Sequence, residues 1–172
     1  MPLHVLIKWR VNVPAGFVLS TDAFHSMTPA LQAEILKRFD VLQTDFVAVR
    51  SSATTEDSSG AAWAGQLDTF LNTGRKDLLQ NIEKCWDSIN SQRAQAYARQ
   101  KTLNTGAVGV VIQKMVQSDI SGVAFSVHPV TKNDQHIIIE AGFGLGEAIV
   151  SGQITPDMYL TRKDAHHILE KH

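Results

Sequence analysis

The run DFVAVR at 45–50 ends on Arg50 and passes directly into SSATTED. A guanidinium beside the hydroxyls of Ser51, Ser52, Thr54 and Thr55, with free turn N–H groups, suits phosphate oxygens. Arg supplies a two-pronged donor fork and successive N–H groups form an anion nest. The same composition also suits a solvated loop with one surface arginine. Further on, Gly65-Gln66-Leu67-Asp68-Thr69 offers a residue without Cβ, which lets backbone approach a ligand, and a hydroxyl at Thr69. It reads equally as a turn into a short strand at Thr69–Leu71. Gln113 interrupts the apolar run VVIQKMV. It is either a ligand contact on a sheet face or the exposed side of a strand, and if buried its amide needs partners. The segment Glu140-Ala141-Gly142-Phe143-Gly144-Leu145-Gly146-Glu147 has the strand, Gly-rich turn and helix of a phosphate loop. Its spacing is G-x-G-x-G, which is no dinucleotide fingerprint, and no G-K-[ST] follows. A tight strand-to-helix turn accounts for it as well.

The seven histidines, His4, His25, His128, His136, His166, His167 and His172, form no H-E-x-x-H or other zinc spacing. No G-x-S-x-G elbow is present. His128 before Pro129 reads as structural and the 166–167 pair as solvent-facing. The single cysteine, Cys85, lies on an apolar helix face beside Trp86 and reads as an inert core thiol.

Several elements must position these groups. Thr28-Pro29 is a helix start, with Thr28 as cap and Pro29 in the first turn. Leu31, Ile35, Leu36 and Phe39 then recur at helical spacing, which predicts a helix over 29–40. Residues 45–50 form a short buried strand, and 51–65 a long loop. One continuous helix is expected over 77–100, its face marked by Leu78, Leu79, Ile82, Cys85, Trp86, Ile89, Ala96 and Tyr97. Lys101–Gly106 is a polar break and the expected lobe boundary. Strands follow at 107–116, 122–127, 136–140 and 158–162, with a short helix over 145–150.

Composition narrows the class. The chain has 172 residues, 44% apolar and 19% charged, a globular composition. Sixteen Lys+Arg against seventeen Asp+Glu give a net charge of −1, with no bulk attraction to nucleic acid or anionic membranes. One cysteine excludes an intramolecular disulfide and fits a reducing, cytoplasmic compartment. No apolar run approaches the ~20 residues of a membrane span.

Four segments occur in order: VAVRSSATTED, AAWAGQLDTFLN, VVIQKMVQSDISGVAFSVHPVT and IIIEAGFGLGEAIVSGQITPDMY. Together they strongly resemble the nucleotide-binding domain of the phosphoenolpyruvate synthase (pyruvate, water dikinase) and pyruvate phosphate dikinase family, which rifampin phosphotransferases share. VPAGFVLSTDAF at 13–24 fits the same family. The resemblance implies an α+β, ATP-grasp-like nucleotide-binding domain whose two lobes clamp ATP, here 1–104 and a strand-rich, truncated 105–172. In the family ATP phosphorylates a histidine on a separate domain, and the phosphohistidine then serves pyruvate or another acceptor. At matching positions Arg50 would bind ATP phosphates, Gly65 and Thr69 would line the phosphate-side loop, and Gln113 would reach the nucleotide from the second lobe. Glu140 and Glu147 match as site-shaping positions. ATP and Mg²⁺ are the implied cofactors. The implied partners are phosphohistidine and pyruvate-binding domains of the same or a complementary chain.

The departures carry expectations of their own. MPLHVLIKWR lacks the family's Gly-Gly-Lys-Gly type segment, and Lys8 is no substitute. The segment between Phe24 and Phe46 is shorter, and Ser58-Ser59-Gly60 replaces Leu-Pro-Asp. The acidic D-x-E strand, the Q-x-R motif and the T-x-H domain are missing before His172. The domain is therefore expected to be incomplete at both ends, with its Mg²⁺ ligands outside this chain and no catalytic residue assigned within it. Phosphoryl transfer is mostly positioning and charge neutralisation, so the isolated chain is expected not to complete the reaction. An open sheet edge would favour self-association. Two alternatives stand beside this reading: a non-catalytic remnant or scaffold on the same fold, and the ATP half of an antibiotic phosphotransferase.

Overall fold

The computed structural model describes residues 3–53, 68–101, 107–164 and 167–172. A short helix, α1 (Leu3–Lys8), precedes the first strand, β1 (Gly16–Leu19). The next helix, α2 (Pro29–Val41), begins where the sequence places it: Thr28 is extended and its Oγ1 accepts from Leu31 N at 3.3 Å, with Pro29 in the first turn. That bond satisfies one donor that no helical carbonyl can reach. Ile35 and Phe39, one turn apart, are the buried residues of this helix.

Strands β2 (Val47–Ala53), β3 (Thr69–Thr73) and β4 (Val108–Lys114) complete an antiparallel sheet in the order β1-β4-β2-β3. β4 is thus an inner strand, pairing with β1 on one side and β2 on the other. Sequence reading grouped 107–116 with the second half. The chain instead divides into compact units at Met115/Val116, which places β4 and Gln113 in the first. Strand partners are chosen by long-range pairing, which a local pattern does not encode.

One face of this sheet is covered by α3 (Leu78–Asp87). Its buried residues Leu78, Ile82, Cys85 and Trp86 follow the i, i+4, i+7, i+8 spacing of one helical stripe. They pack with Val47, Val49, Val108, Val110 and Ile112, all fully buried. Each such side chain contributes about 1.5–3 kcal/mol on leaving water.

The expected single helix over 77–100 is two. A 3-10 turn at Ser88–Asn90 follows α3, Ser91 is extended, and α4 (Gln92–Lys101) starts afresh. Asp, Ser and Asn compete with the helix for backbone hydrogen bonds. Here Ser88 Oγ donates to Cys85 O at 2.7 Å, and Ser91 Oγ accepts from Ala94 N at 3.2 Å as a new cap. The restart changes the buried face: Ala94 and Ala98 are buried and Ala96 is exposed.

The second unit is a meander, β5 (Ile120–Phe125), β6 (His136–Phe143), β7 (Asp157–Arg162) and β8 (Ile168–Lys171), paired antiparallel in that order. A single short helix, α5 (Gly146–Val150), contacts β5 and β6. Ile138, Ile149 and Leu160 are its buried apolar residues among those described. His128 is structural, as expected: its Nδ1 accepts from Val130 N at 3.2 Å and Thr131 N at 3.3 Å, ordering the β5–β6 loop. Among the described residues no helix is long and apolar enough to cross a membrane.

Candidate functional site

Register decides which side chains share a face. In the first sheet Arg50 lies opposite Thr69 on β3 and Val111 on β4, and Ala48 lies opposite Gln113. Cross-strand partners point the same way and residues two apart along a strand do too. Arg50, Thr69 and Gln113 therefore stand on one face, opposite the face that Val49 and Ile112 bury against α3. At ordinary strand spacing the Gln113 and Thr69 backbones are about 12 Å apart across this face, with Arg50 between them.

Arg50 and Thr69 are exposed. Among the described residues no carboxylate pairs with Arg50, which leaves its guanidinium available to an anion. Ser52, two residues on, shares the face and is half-buried. Ser51 points the other way, and its Oγ donates to Asp68 O at 2.8 Å, joining β2 to the start of β3. That hydroxyl serves the fold, not a ligand. Gly65, Thr54 and Thr55 lie outside the described residues, so the loop expected over 51–65 is described only where β2 continues through Ala53.

Gln113 is half-buried and answers the question its position raised: Nε2 donates to Pro14 O at 3.0 Å. β1 closes directly beside it, Gly16 pairing with Gln113. A Cβ on Gly16 would run into Ile112 O, so only glycine lets the VPAGF turn come this close. Sequence reasoning missed the apolar residues of this face, Val18, Ala48 and Val111. Counting back by twos from Arg50 and Gln113 finds the last two; Val18 emerges only from the β1–β4 pairing.

The Gly-rich segment behaves as a tight strand-to-helix turn. β6 runs to Phe143, Gly144 adopts φ +83°, and α5 starts at Gly146. Gly144 O accepts from Ser121 Oγ at 2.7 Å and Ser118 Oγ at 3.1 Å, and Gly144 N donates to Asp119 O at 2.8 Å. Glu140 is half-buried on β6 and Glu147 exposed in the first turn of α5. Neither lies in the unit that holds Arg50, Thr69 and Gln113.

Cys85 is buried, its Sγ 3.7 Å from Val49 O. Burial, then the nearby Asp68 carboxylate, pushes the thiol up from 9.0 to about 12, against a smaller opposing pull from the Ser51 backbone. A thiol that keeps its proton is a poor nucleophile. Among the described residues no group of three or more His, Cys, Asp or Glu side chains is placed to hold a metal ion. The described residues of the Arg50 face include no carboxylate.

Among the described residues, a sheet face whose arginine pairs with no carboxylate, with hydroxyls at one end and an amide at the other, can hold an anionic, elongated ligand. Comparison with known proteins gives the family. Residues 25–172 match the pyruvate phosphate dikinase AMP/ATP-binding domain, and the chain belongs to that family. It is 43% identical, over 80% of its length, to a phosphoenolpyruvate synthase of Pyrococcus furiosus, of which it covers 17%. It is 47% identical over 72% of its length to a rifampicin phosphotransferase of Bacillus cereus, covering 14% of it. An uncharacterized phosphotransferase of Bacillus subtilis is 33% identical over 98% of this chain, which covers 24% of that protein. The chain thus spans between 14% and 24% of the length of these relatives.

Proposed function

We propose that the chain binds ATP on the open face of its first sheet, as part of the nucleotide-binding domain of a phosphoenolpyruvate-synthase-like phosphotransferase. The register that brings Arg50, Thr69 and Gln113 to one face supports this reading. Arg50 and the Thr69 hydroxyl take the phosphates, Gly65 lines the same end, and Gln113 meets the opposite end of the nucleotide. The two lobes belong to an ATP-grasp-like fold. ATP arrives with Mg²⁺, which screens phosphate charge when bound; its ligands come from outside the described residues.

In the whole protein, ATP would phosphorylate a histidine on another domain, which passes the group to pyruvate. The likeness to a rifampicin phosphotransferase supports a second reading, in which the same ATP half serves an antibiotic acceptor. Either way the chain works in the cytoplasm and by itself does not complete the transfer.

Calorimetric titration of the folded chain with ATP and Mg²⁺, beside Arg50→Ala, tests the proposal. Charge-assisted hydrogen bonds contribute about 1.5–3 kcal/mol, so the variant should bind at least about tenfold more weakly. No binding heat up to millimolar ATP, from chain shown to be folded by circular dichroism, would overturn it.

A further inference from the structure

β3 does not keep step with β2. Val47 pairs with Thr73 and Arg50 with Thr69, so three steps along β2 answer four along β3, and the slip falls between Val47 and Val49. Leu71 and Asn72 thus occupy the place of one residue opposite Ala48, and Asn72 adopts φ +49°. Left-handed backbone is sparse outside glycine, and asparagine is among the few side chains that accept it. The feature is a β-bulge, one residue too many in one strand of an antiparallel pair.

The bulge decides where Thr69 points. Thr73 is buried opposite Val47, on the packed side of the sheet. In an unbroken strand residues an even number apart share a face. Thr69 would then join Thr73 on the packed side, and Phe70 would turn outward. The extra residue reverses that parity. Phe70 packs against the core, and Thr69 is exposed opposite Arg50. The shifted register is held on both sides. Thr73 Oγ1 donates to Phe70 O at 3.2 Å across the bulge and accepts from Asn81 Nδ2 of α3 at 3.0 Å. Beyond Thr69, Asp68 O accepts from Ser51 N at 3.3 Å and from Ser51 Oγ at 2.8 Å.

From this we infer that Asn72 is a positioning residue, whose left-handed backbone makes the bulge that turns the Thr69 hydroxyl out of the core and sets it beside Arg50. The inference rests on the proposed binding of ATP phosphates by Arg50 and Thr69. Asn72 acts through its backbone, so glycine can replace it and a β-branched residue cannot. Deleting Asn72 should also preserve the site. Thr73 and Thr69 would then lie three steps apart in an unbroken strand, on opposite faces again.

The test is calorimetric titration with ATP and Mg²⁺ of the full chain, Thr69→Val, Asn72→Val, both together, Asn72→Gly and the chain lacking Asn72. Thr69→Val should weaken binding about tenfold, the loss of one hydrogen bond to a charged group. Asn72→Val should weaken it as much. Adding Thr69→Val to Asn72→Val should then change affinity by less than about twofold, because the hydroxyl has already left the site. Asn72→Gly and the deletion should bind within about twofold of wild type. Losses that multiply in the double variant, or wild-type affinity in folded Asn72→Val, would overturn the inference and leave the site intact. A folded deletion variant that binds tenfold more weakly than wild type would overturn it too. Should Asn72→Val fail to fold, the deletion and Asn72→Gly decide the matter. No ATP binding by the wild-type chain, or binding indifferent to Thr69→Val, would remove the proposed site and the inference with it.

Discussion

The two sheets have four strands each, all antiparallel, yet they live in different conditions. In the first, Val47, Val49, Val108, Val110 and Ile112 are fully buried beneath α3. In the second, Ile139 is 36% exposed, Ile120 63% and Phe143 83%. These three share a face, since Ile120 pairs with Phe143 and residues 139 and 143 are an even number apart on β6. The difference lies in the helices. The ten residues of α3 bring four buried side chains to their sheet, whereas the five of α5 bring Ile149. Strand patterning makes a strand in both places; a full-length amphipathic helix is what turns a strand into core. The comparison also bears on function, because a site is held best on elements whose other face is packed. Arg50, Thr69 and Gln113 stand on the sheet with the packed reverse side.

The largest effect is expected from Trp86→Ala. Removing a fully buried indole from under the first sheet should cost about 3–5 kcal/mol, read from the denaturant midpoint. Ile138→Ala in the second sheet should cost about 2 kcal/mol, the low end for such a change, because its thinner surroundings can close over the gap. A greater loss from Ile138→Ala than from Trp86→Ala would break the comparison.

Alkaline titration gives an intermediate test. The folded Cys85 thiol holds its proton to about pH 12 whereas an ordinary one loses it near 9.0. Above that lower value the unfolded chain binds fewer protons than the folded one, so stability present below it declines as pH rises toward the higher. Urea midpoints across this range should fall more steeply for the wild-type chain than for Cys85→Ala. Parallel slopes would assign the alkaline loss to other groups. The smallest effect sharpens the edge of the first unit: Thr28→Ala removes the cap of α2 and should cost about 1 kcal/mol by the same measurement.

Much of this architecture was legible in local pattern. Thr28-Pro29 marked the start of α2, a short apolar run marked β2, a shift toward strand period marked β4, and the Gly-rich run marked the turn before α5. What escaped had no local signal. β8 (Ile168–Lys171) is exposed along its whole length and carries no alternation to read. The break at 88–91 was hidden because Ile89 continued the apolar rhythm of α3 while the backbone left the helix. The site was legible as residue types and, through the family likeness, as a set. Its geometry was not, because Arg50 and Gln113 meet across strands drawn from distant parts of the chain. The partner of the Gln113 amide belongs to a turn near the other end of the first unit. The Gly65 end of the proposed site remains outside the described residues.

The inner place of β4 has a consequence for how the protein is made. β1 hydrogen-bonds to β4 and to no other described strand. On a ribosome, residues 16–19 emerge long before residues 108–114, so the first strand waits through most of the first unit's synthesis with its backbone groups unmatched except by water. β2 and β3 can pair early, but the sheet cannot close, nor α3 cover it fully, until β4 slides between strands already formed. Such late, distant pairing slows folding and leaves strand edges open meanwhile. Residues 16–101 therefore keep unpaired strand edges until β4 has been made.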